Sequence, residues 1–250
     1  MTKGNITYIV INAVAKLQFS HPKSNAFPSE LLQQLIDTIQ ILDADNDVKI
    51  IVLESAGDKT FCAGASFDEL LAITNLEDGT KFFSGFANLL NAMRTCSKLI
   101  IGRVQGKAVG GGVGIIAACD YTFATEQAFI KLSELSIGIG PFVIAPAIER
   151  KIGLSAFSEL SLSTNWHTAD WAFQKGLYTH VFHDILAMDI TLNDFSNNLA
   201  TFSKEALYAM KKVLWQNTAH WEKLLYERAA ISGRLVLSEE TKKALKKFKS

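Results

Sequence analysis

Two features of this sequence could support chemistry: a run of glycines and a single glutamate that follows it. The run Val109–Asp120 reads Val-Gly-Gly-Gly-Val-Gly-Ile-Ile-Ala-Ala-Cys-Asp. Glycine lacks a Cβ, so the backbone can turn sharply there and approach another atom closely. The apolar helix predicted to follow leaves its first N–H groups without intrahelical acceptors. The run therefore predicts backbone amides that are free to bind a carbonyl oxygen or an anion.

The same glycines do not match the common nucleotide-binding patterns. No Gly-Lys-Ser/Thr closes the run, because Gly106-Lys107 is followed by Ala108. The spacing G-x-G-x-x-G is also missing, since Ile115 stands where the third glycine would be. A tight turn that only lets two elements pack together is the alternative interpretation.

Glu134 follows an apolar strand pattern, and Lys131 is the one other charge near it. Burial would raise the pKa of such a carboxyl and suit it to proton transfer near neutral pH. The alternative is a glutamate in a solvent-exposed loop.

Composition narrows the class of protein. The chain has 250 residues, 48% hydrophobic and 20% charged, with a formal net charge of zero. A dedicated nucleic-acid binder would carry a basic surplus. The three cysteines form no CxxC pair, which argues against a disulfide framework and against a zinc site. We expect a cytosolic protein, because no signal-peptide pattern and no apolar run of roughly 18 residues is present.

Hydrophobic periodicity then places these residues in an α/β arrangement, with helices dominating the last third. Strands are predicted over residues 5–19 (with a turn near 12–15), 49–55, 99–104, 121–124 and 128–132. Helices are predicted over residues 30–42 with Ser29 as N-cap, 80–97, 111–119, 144–152, 155–163, 168–175, 196–232 and 239–249.

Three segments in order resemble the enoyl-CoA hydratase/isomerase family, the crotonase superfamily. They are Ala56–Phe67, Val104–Asp120 and Phe129–Gly138, and Ser163–Val181 is similar in weaker form. The stretch Ser133–Pro146 looks most like bacterial methylglutaconyl-CoA hydratase-type members.

The resemblance implies a crotonase-like α/β spiral of ββα units over residues 1–190. A helical C-terminal region over residues 191–250 would then assemble a homotrimer or a dimer of trimers. It also implies an acyl-CoA thioester substrate and no cofactor beyond the coenzyme A that the substrate carries. Neither a metal nor a nucleic-acid or membrane partner is expected.

In the family, two backbone amides stabilise the enolate oxygen of the thioester. The resemblance assigns these donors to Ala63 and Gly111 and makes Glu134 the acid/base. Hydratases of the family usually have a second glutamate, at the position that Gly114 occupies here. One carboxylate can hydrate a 2-enoyl-CoA, or it can move a proton between two carbons as a Δ3-Δ2-enoyl-CoA isomerase does. A non-catalytic acyl-CoA-binding protein is the alternative from another class, favoured by Gly114 and by Ser66 in place of the usual aspartate.

The resemblance also predicts the substrate path along two loops. Predicted substrate- and CoA-binding residues are Lys23, Ser24, Ala26, Ala65, Ser66, Phe67, Gly110 and Ser133. Lys23 could meet a phosphate or be a solvated surface lysine. Candidates for the acyl pocket are Phe67, Leu70, Leu71, Phe82, Phe83 and Phe142.

Overall fold

The strands divide between two sheets. The computed structural model describes residues 4–249, with side chains as far as Lys247. The strands are β1 (Asn5–Ile11), β2 (Val14–Ser20), β3 (Ile50–Ser55), β4 (Thr60–Cys62), β5 (Leu99–Val104), β6 (Lys107–Val109), β7 (Tyr121–Thr125), β8 (Ile130–Lys131) and β9 (His180–Phe182). The larger sheet has the order β1-β2-β3-β5-β7-β9 and the smaller one β4-β6-β8.

Successive strands alternate between these sheets, so the chain winds as a spiral. After the antiparallel hairpin β1–β2, the strands β3, β5 and β7 each join the larger sheet in parallel. The short strand after each of them joins the smaller sheet. This confirms the predicted α/β crotonase-like fold. The strands β4 and β6 were not predicted, because three residues are too few to show a period.

Ten helices are found in the described residues. They are α1 (Ser29–Ala44), α2 (Phe67–Ala72), α3 (Leu76–Thr95), α4 (Gly111–Ala118), α5 (Ala145–Ser163), α6 (Ala169–Gln174), α7 (Ile185–Ala200), α8 (Lys204–Leu214), α9 (Trp221–Leu235) and α10 (Glu239–Lys249). A 3-10 turn covers Glu134–Ile137.

The ends of several helices differ from prediction, and the differences trace to side-chain bonds. Pro28 is the N-cap of α1, whereas the predicted cap, Ser29, lies inside the helix and donates its hydroxyl to Glu69 at 2.6 Å. The helix α3 begins four residues early because Asn75 accepts a bond from the Asp78 amide. The predicted helix 196–232 is interrupted, since Ser203 caps a new helix there.

The C-terminal helices share the main core with the sheet. Trp215 and Leu225 belong to the same buried cluster as Leu53 and Ile100. The predicted domain boundary at residue 190 falls inside α7, which packs against the larger sheet. No helix in the described chain combines the length and the apolar character needed to cross a bilayer.

Candidate active site

The glycine run crosses from the smaller sheet into the buried helix α4. Gly110 has φ 54° and ψ −118°, a conformation that favours glycine. A Cβ at Gly111 would lie 2.2 Å from the Phe86 ring, so α3 packs directly on the backbone there. The Gly111 amide starts α4 and has no hydrogen-bond acceptor among the residues the structure describes. It is therefore free to bind a ligand.

A second loop, residues 61–66, lies against this run. A Cβ at Gly64 would be 3.0 Å from the Val109 carbonyl oxygen and 3.7 Å from the Gly111 nitrogen. The Ala63 amide, predicted as the other donor, is already engaged, because it donates to the Ser24 carbonyl at 3.1 Å.

The amide of Ala65 is differently placed. Ala65 forms a parallel bridge with Phe27. The Phe27 amide donates to the Gly64 carbonyl at 2.8 Å, and the Phe27 carbonyl accepts from the Ser66 amide at 2.9 Å. In such a bridge the central residue's own N–H points away from the partner strand. Within the described chain this amide donates to no acceptor. Ala65 and Gly111 thus present two free amides on touching loops.

Glu134 opens the 3-10 turn and lies directly against the glycine run. Its Oε1 is 2.9 Å from where a Cβ of Gly110 would stand. Its Oε2 is buried and has no hydrogen-bond partner among the described residues. Burial raises the pKa of Glu134 from 4.5 to about 7, although backbone amides of Glu134 and Ser133 oppose the shift. The carboxyl is therefore set to exchange a proton near neutral pH.

The helix α10 supports the turn that carries this glutamate. The Thr241 hydroxyl donates to the Gly138 carbonyl at 3.1 Å. A Cβ at Gly138 would be 2.5 Å from that hydroxyl, and Gly138 has φ 81°. The close fit fixes the end of the 3-10 turn against α10.

A cavity of about 160 Å³ joins these groups. Its lining residues are Ala63, Gly64, Ala65, Phe67, Leu70, Phe82, Phe83, Phe86, Val109, Gly110, Gly111, Ser133, Glu134, Ile137, Ile139, Gly140, Pro141, Phe142, Val143, Ile144 and Ser232. Among these, Glu134 is the one ionisable side chain. The cavity thus combines an apolar chamber with one carboxylate and two free amides.

The structure brings most predicted site residues to this cavity. Ala63, Ala65, Phe67, Gly110, Gly111, Ser133 and Glu134 line it, as do five of the six acyl-pocket candidates, with Leu71 outside. Lys23, Ser24, Ala26 and Ser66 do not line it.

Three of these residues, Lys23, Ser24 and Ala26, belong to a loop that contacts the Ala63–Phe67 loop, and Ser66 belongs to the Ala63–Phe67 loop itself. Lys23 forms an ion pair with Asp68, both side chains being exposed. Ser24 holds the Ala63 amide, and Ala26 closes the turn by donating to the Lys23 carbonyl at 3.0 Å. Ser66 caps α2 through the Glu69 amide at 3.4 Å. In this structure the loop 23–26 supports the neighbouring loop.

Sequence reasoning missed two lining residues with consequences for chemistry, Ile144 and Ser232. A Cβ at Gly114 would lie 2.4 Å from Ile144 Cγ2, so a side chain there has no room. Ser232 comes from α9, far along the chain. No local pattern marks either residue, because each reaches the cavity through tertiary packing.

Comparisons with known proteins show the family and the fold of this chain. The model of the enoyl-CoA hydratase/isomerase family matches residues 10–249. The chain is 26% identical over 245 residues to a probable enoyl-CoA hydratase of Bacillus subtilis, covering 97% of this chain and 95% of that one. It is 28% identical over 188 residues to the mitochondrial Delta(3,5)-Delta(2,4)-dienoyl-CoA isomerase of Mus musculus, covering 70% and 57%. An enoyl-CoA hydratase structure from Bacillus halodurans has the same fold, with a TM-score of 0.89, 20% identity and coverage of 97% and 99%.

Proposed function

The chain is an enzyme of the enoyl-CoA hydratase/isomerase family, and we propose that it adds water to a 2-enoyl-CoA thioester. The observation that carries this proposal is the Glu134 carboxylate. Its Oε2 is buried without a partner among the described residues, and Glu134 lines the cavity together with Ala65 and Gly111, whose amides are free. An unpaired buried carboxylate is costly to keep, and such groups occur at functional sites.

The proposed reaction uses Glu134 twice. Ionised Glu134 takes a proton from water while the water oxygen bonds to the β-carbon. The electron pair of the double bond moves towards the thioester, whose oxygen becomes negative. Glu134 then returns the proton to the α-carbon, and a 3-hydroxyacyl-CoA leaves.

The negative thioester oxygen would bind the amides of Gly111 and Ala65. This replaces the predicted donor at Ala63, whose amide is held by Ser24. Removing one donor of this type costs about 2.7–4 kcal/mol of transition-state stabilisation. The Ala65 amide supports the proposal because its bridge partner, Phe27, leaves it unoccupied.

Double-bond isomerisation is a second candidate, favoured by the packing of Ile144. Its side chain fills the space beside Gly114, so the cavity holds one carboxylate among its described lining residues. A single carboxylate suffices to carry a proton between the α- and γ-carbons of an enoyl thioester. A Δ3-Δ2-enoyl-CoA isomerase would use the same two amides.

The lining favours an uncharged acyl group. The distal carboxylate of a methylglutaconyl group would meet no Lys, Arg or His among the described lining residues. Burying that charge unpaired would be expensive. We therefore favour a neutral acyl chain over the methylglutaconyl substrate suggested by residues 133–146.

Product mass separates the candidate reactions. The full-length protein would be incubated in turn with crotonyl-CoA, a longer unbranched 2-enoyl-CoA, 3-methylglutaconyl-CoA and a 3-enoyl-CoA. Hydration adds the mass of one water and removes the conjugated enoyl absorbance, whereas isomerisation of the 3-enoyl-CoA creates that absorbance at constant mass. We expect hydration of an unbranched substrate.

Two results would count against the proposal. Conversion of the 3-enoyl-CoA alone would establish the isomerase instead. Calorimetric binding of acyl-CoA with no turnover of any substrate would support a non-catalytic binding protein. Assembly as a trimer, the division at residue 190, a cytosolic location and the contact of Lys23 with coenzyme A stay predictions.

A further inference from the structure

Ser232 is one of three residues with a polar side chain that line the cavity, and the other two are Ser133 and Glu134. The residue lies on α9, is 1% exposed and lines the cavity. The lining of the same cavity includes Leu70, Phe82 and Phe83. The Ser232 hydroxyl has no hydrogen-bond partner among the described residues. The Ser232 oxygen is not among the fully buried polar atoms that lack a partner, so it keeps some accessible area, and the cavity is the space that this residue lines.

Other helical hydroxyls in this chain behave differently. Those of Thr38, Ser84, Thr95 and Thr191 each donate to the carbonyl four residues earlier, at 2.7–3.0 Å. Ser232 has the carbonyl of Arg228 at the same offset and makes no such bond. Its hydroxyl therefore remains available to a group inside the cavity.

The packing of α9 against α3 fixes where this hydroxyl lies. Gly79 and Gly233 touch backbone to backbone, because a Cβ at Gly79 would be 2.8 Å from the Gly233 oxygen. Seven residues further along α3, Phe86 packs on Gly111. At 1.5 Å per residue this separates the two contacts by about 10 Å. Ser232 thus stands towards the end of the cavity away from the Gly111 amide.

We infer that Ser232 selects acyl chains that carry a hydroxyl or carbonyl oxygen towards their distal end; this inference rests on the proposed acyl-CoA function. A hydroxyl can both donate and accept, so it pairs with either group. A pure hydrocarbon chain would expel water from Ser232 and leave it unpaired, which lowers its affinity. A site built for a polar partner rejects the analogue that lacks it.

Calorimetry on the full-length protein tests the inference with matched ligands. The ligands are saturated ω-hydroxyacyl-CoA thioesters of increasing chain length, each paired with the acyl-CoA in which a methyl replaces the hydroxyl. At one chain length we expect the hydroxylated ligand to bind about fivefold more tightly, the effect of one neutral hydrogen bond. Ser232→Ala should abolish this preference and Ser232→Thr should keep it.

Ser196→Ala is the matched control. Ser196 is another buried helical serine without a partner among the described residues, and it does not line the cavity. This variant should retain the preference. A preference that is absent from the wild type, or unchanged in Ser232→Ala, would overturn the inference.

Turnover of the corresponding 2-enoyl-CoA esters separates this inference from the proposed reaction. Retained binding preference without hydration or isomerisation would support the role of Ser232 and overturn the catalytic proposal. Hydration without any preference for the hydroxylated ligand would support the catalytic proposal and overturn the role of Ser232. Failure of every acyl-CoA to bind would overturn both.

Discussion

Asp120 and Glu134 are two carboxylates with little access to solvent, and they differ in their hydrogen-bond partners. Asp120 accepts bonds at 2.7 Å from the Ile100 amide, the Lys211 ammonium and the Trp215 indole. Its side chain is 3% exposed, and that of Lys211 is 2% exposed. Glu134 has an Oε2 with no partner among the described residues and faces the cavity.

The difference shows what each carboxylate does. The donors of Asp120 come from β5 and α8, so this residue joins the C-terminal helices to the larger sheet. A carboxylate that accepts from three donors forms a fixed link between the elements that carry them. Glu134 has backbone amides as its hydrogen-bond donors but no partner at Oε2 among the described residues, and burial raises its pKa to about 7. We therefore assign Asp120 to the scaffold, and the unpartnered Oε2 of Glu134 supports the proposed role of this residue in chemistry.

The largest expected effect is the loss of activity on substitution of Glu134. Glu134→Gln should lower kcat/KM by about 10³-fold on whichever substrate the enzyme converts, because general acid–base catalysis contributes about 10²–10⁴-fold. Steady-state kinetics would measure this, with circular dichroism confirming an unchanged fold. A variant with full activity would show that Glu134 is not the acid/base.

Asp120 should instead affect the stability of the fold. Asp120→Asn leaves Lys211 buried without its counter-ion, so we expect the free energy of unfolding to fall by about 3–5 kcal/mol. Chemical denaturation would measure the loss. The double variant Asp120→Asn with Lys211→Met should recover part of it, since no unpaired charge remains.

Activity per folded molecule should be nearly unchanged in Asp120→Asn. A loss of activity as large as that of Glu134→Gln, at equal folded fraction, would contradict the division of roles between the two carboxylates.

Glu134 should also lower the free energy of unfolding, by an amount that depends on pH. The folded-state pKa of Glu134, about 7, lies above the ordinary value of 4.5, so the folded protein binds the proton more tightly than the unfolded chain. Its contribution to stability is therefore greatest below pH 4.5 and is lost as the pH rises through 7. Glu134→Gln should be more stable than the wild type at pH 8, by up to about 3 kcal/mol.

Denaturation at several pH values would test this. The difference between variant and wild type should shrink towards zero as the pH falls to 4.5. In the wild type, kcat/KM should rise with pH to a plateau above 7, since the ionised carboxylate takes the first proton. A pH-independent stability difference would contradict the raised pKa.

The smallest effect concerns the support of the Glu134 turn. Thr241→Val keeps the shape of the side chain and removes its bond to the Gly138 carbonyl, so unfolding should become easier by about 1 kcal/mol. We expect kcat/KM to fall less than tenfold, as the turn loosens without losing its carboxylate. Thr191→Val is a control, because the exposed Thr191 hydroxyl bonds within its own helix, α7.

The sequence predicted those parts of the site that depend on local pattern. The buried strands β3 and β5 carry continuous apolar runs. The glycine run predicted a sharp turn and a close backbone contact at the start of α4. The position of Glu134 followed from the resemblance of residues 129–138 to the family. These features are local in the chain, so periodicity and motif spacing suffice to find them.

The remaining parts depend on tertiary contacts. The Ala63 amide was assigned as a donor by resemblance to the family, but nothing in the sequence shows that the Ser24 carbonyl already accepts from it. The contact of Ile144 with Gly114 joins residues thirty positions apart. Ser232 enters the cavity because two glycines on different helices touch. Such pairings are decided by how elements pack, which one sequence alone does not specify.

The bond between Thr241 and Gly138 spans 103 residues. During synthesis the Glu134 turn leaves the ribosome long before α10 has been made. The contact that fixes the turn therefore forms only when α10 docks. A protease that trims α10 would therefore weaken the enzyme without touching any residue of the cavity. We therefore expect the activity to depend on an intact α10.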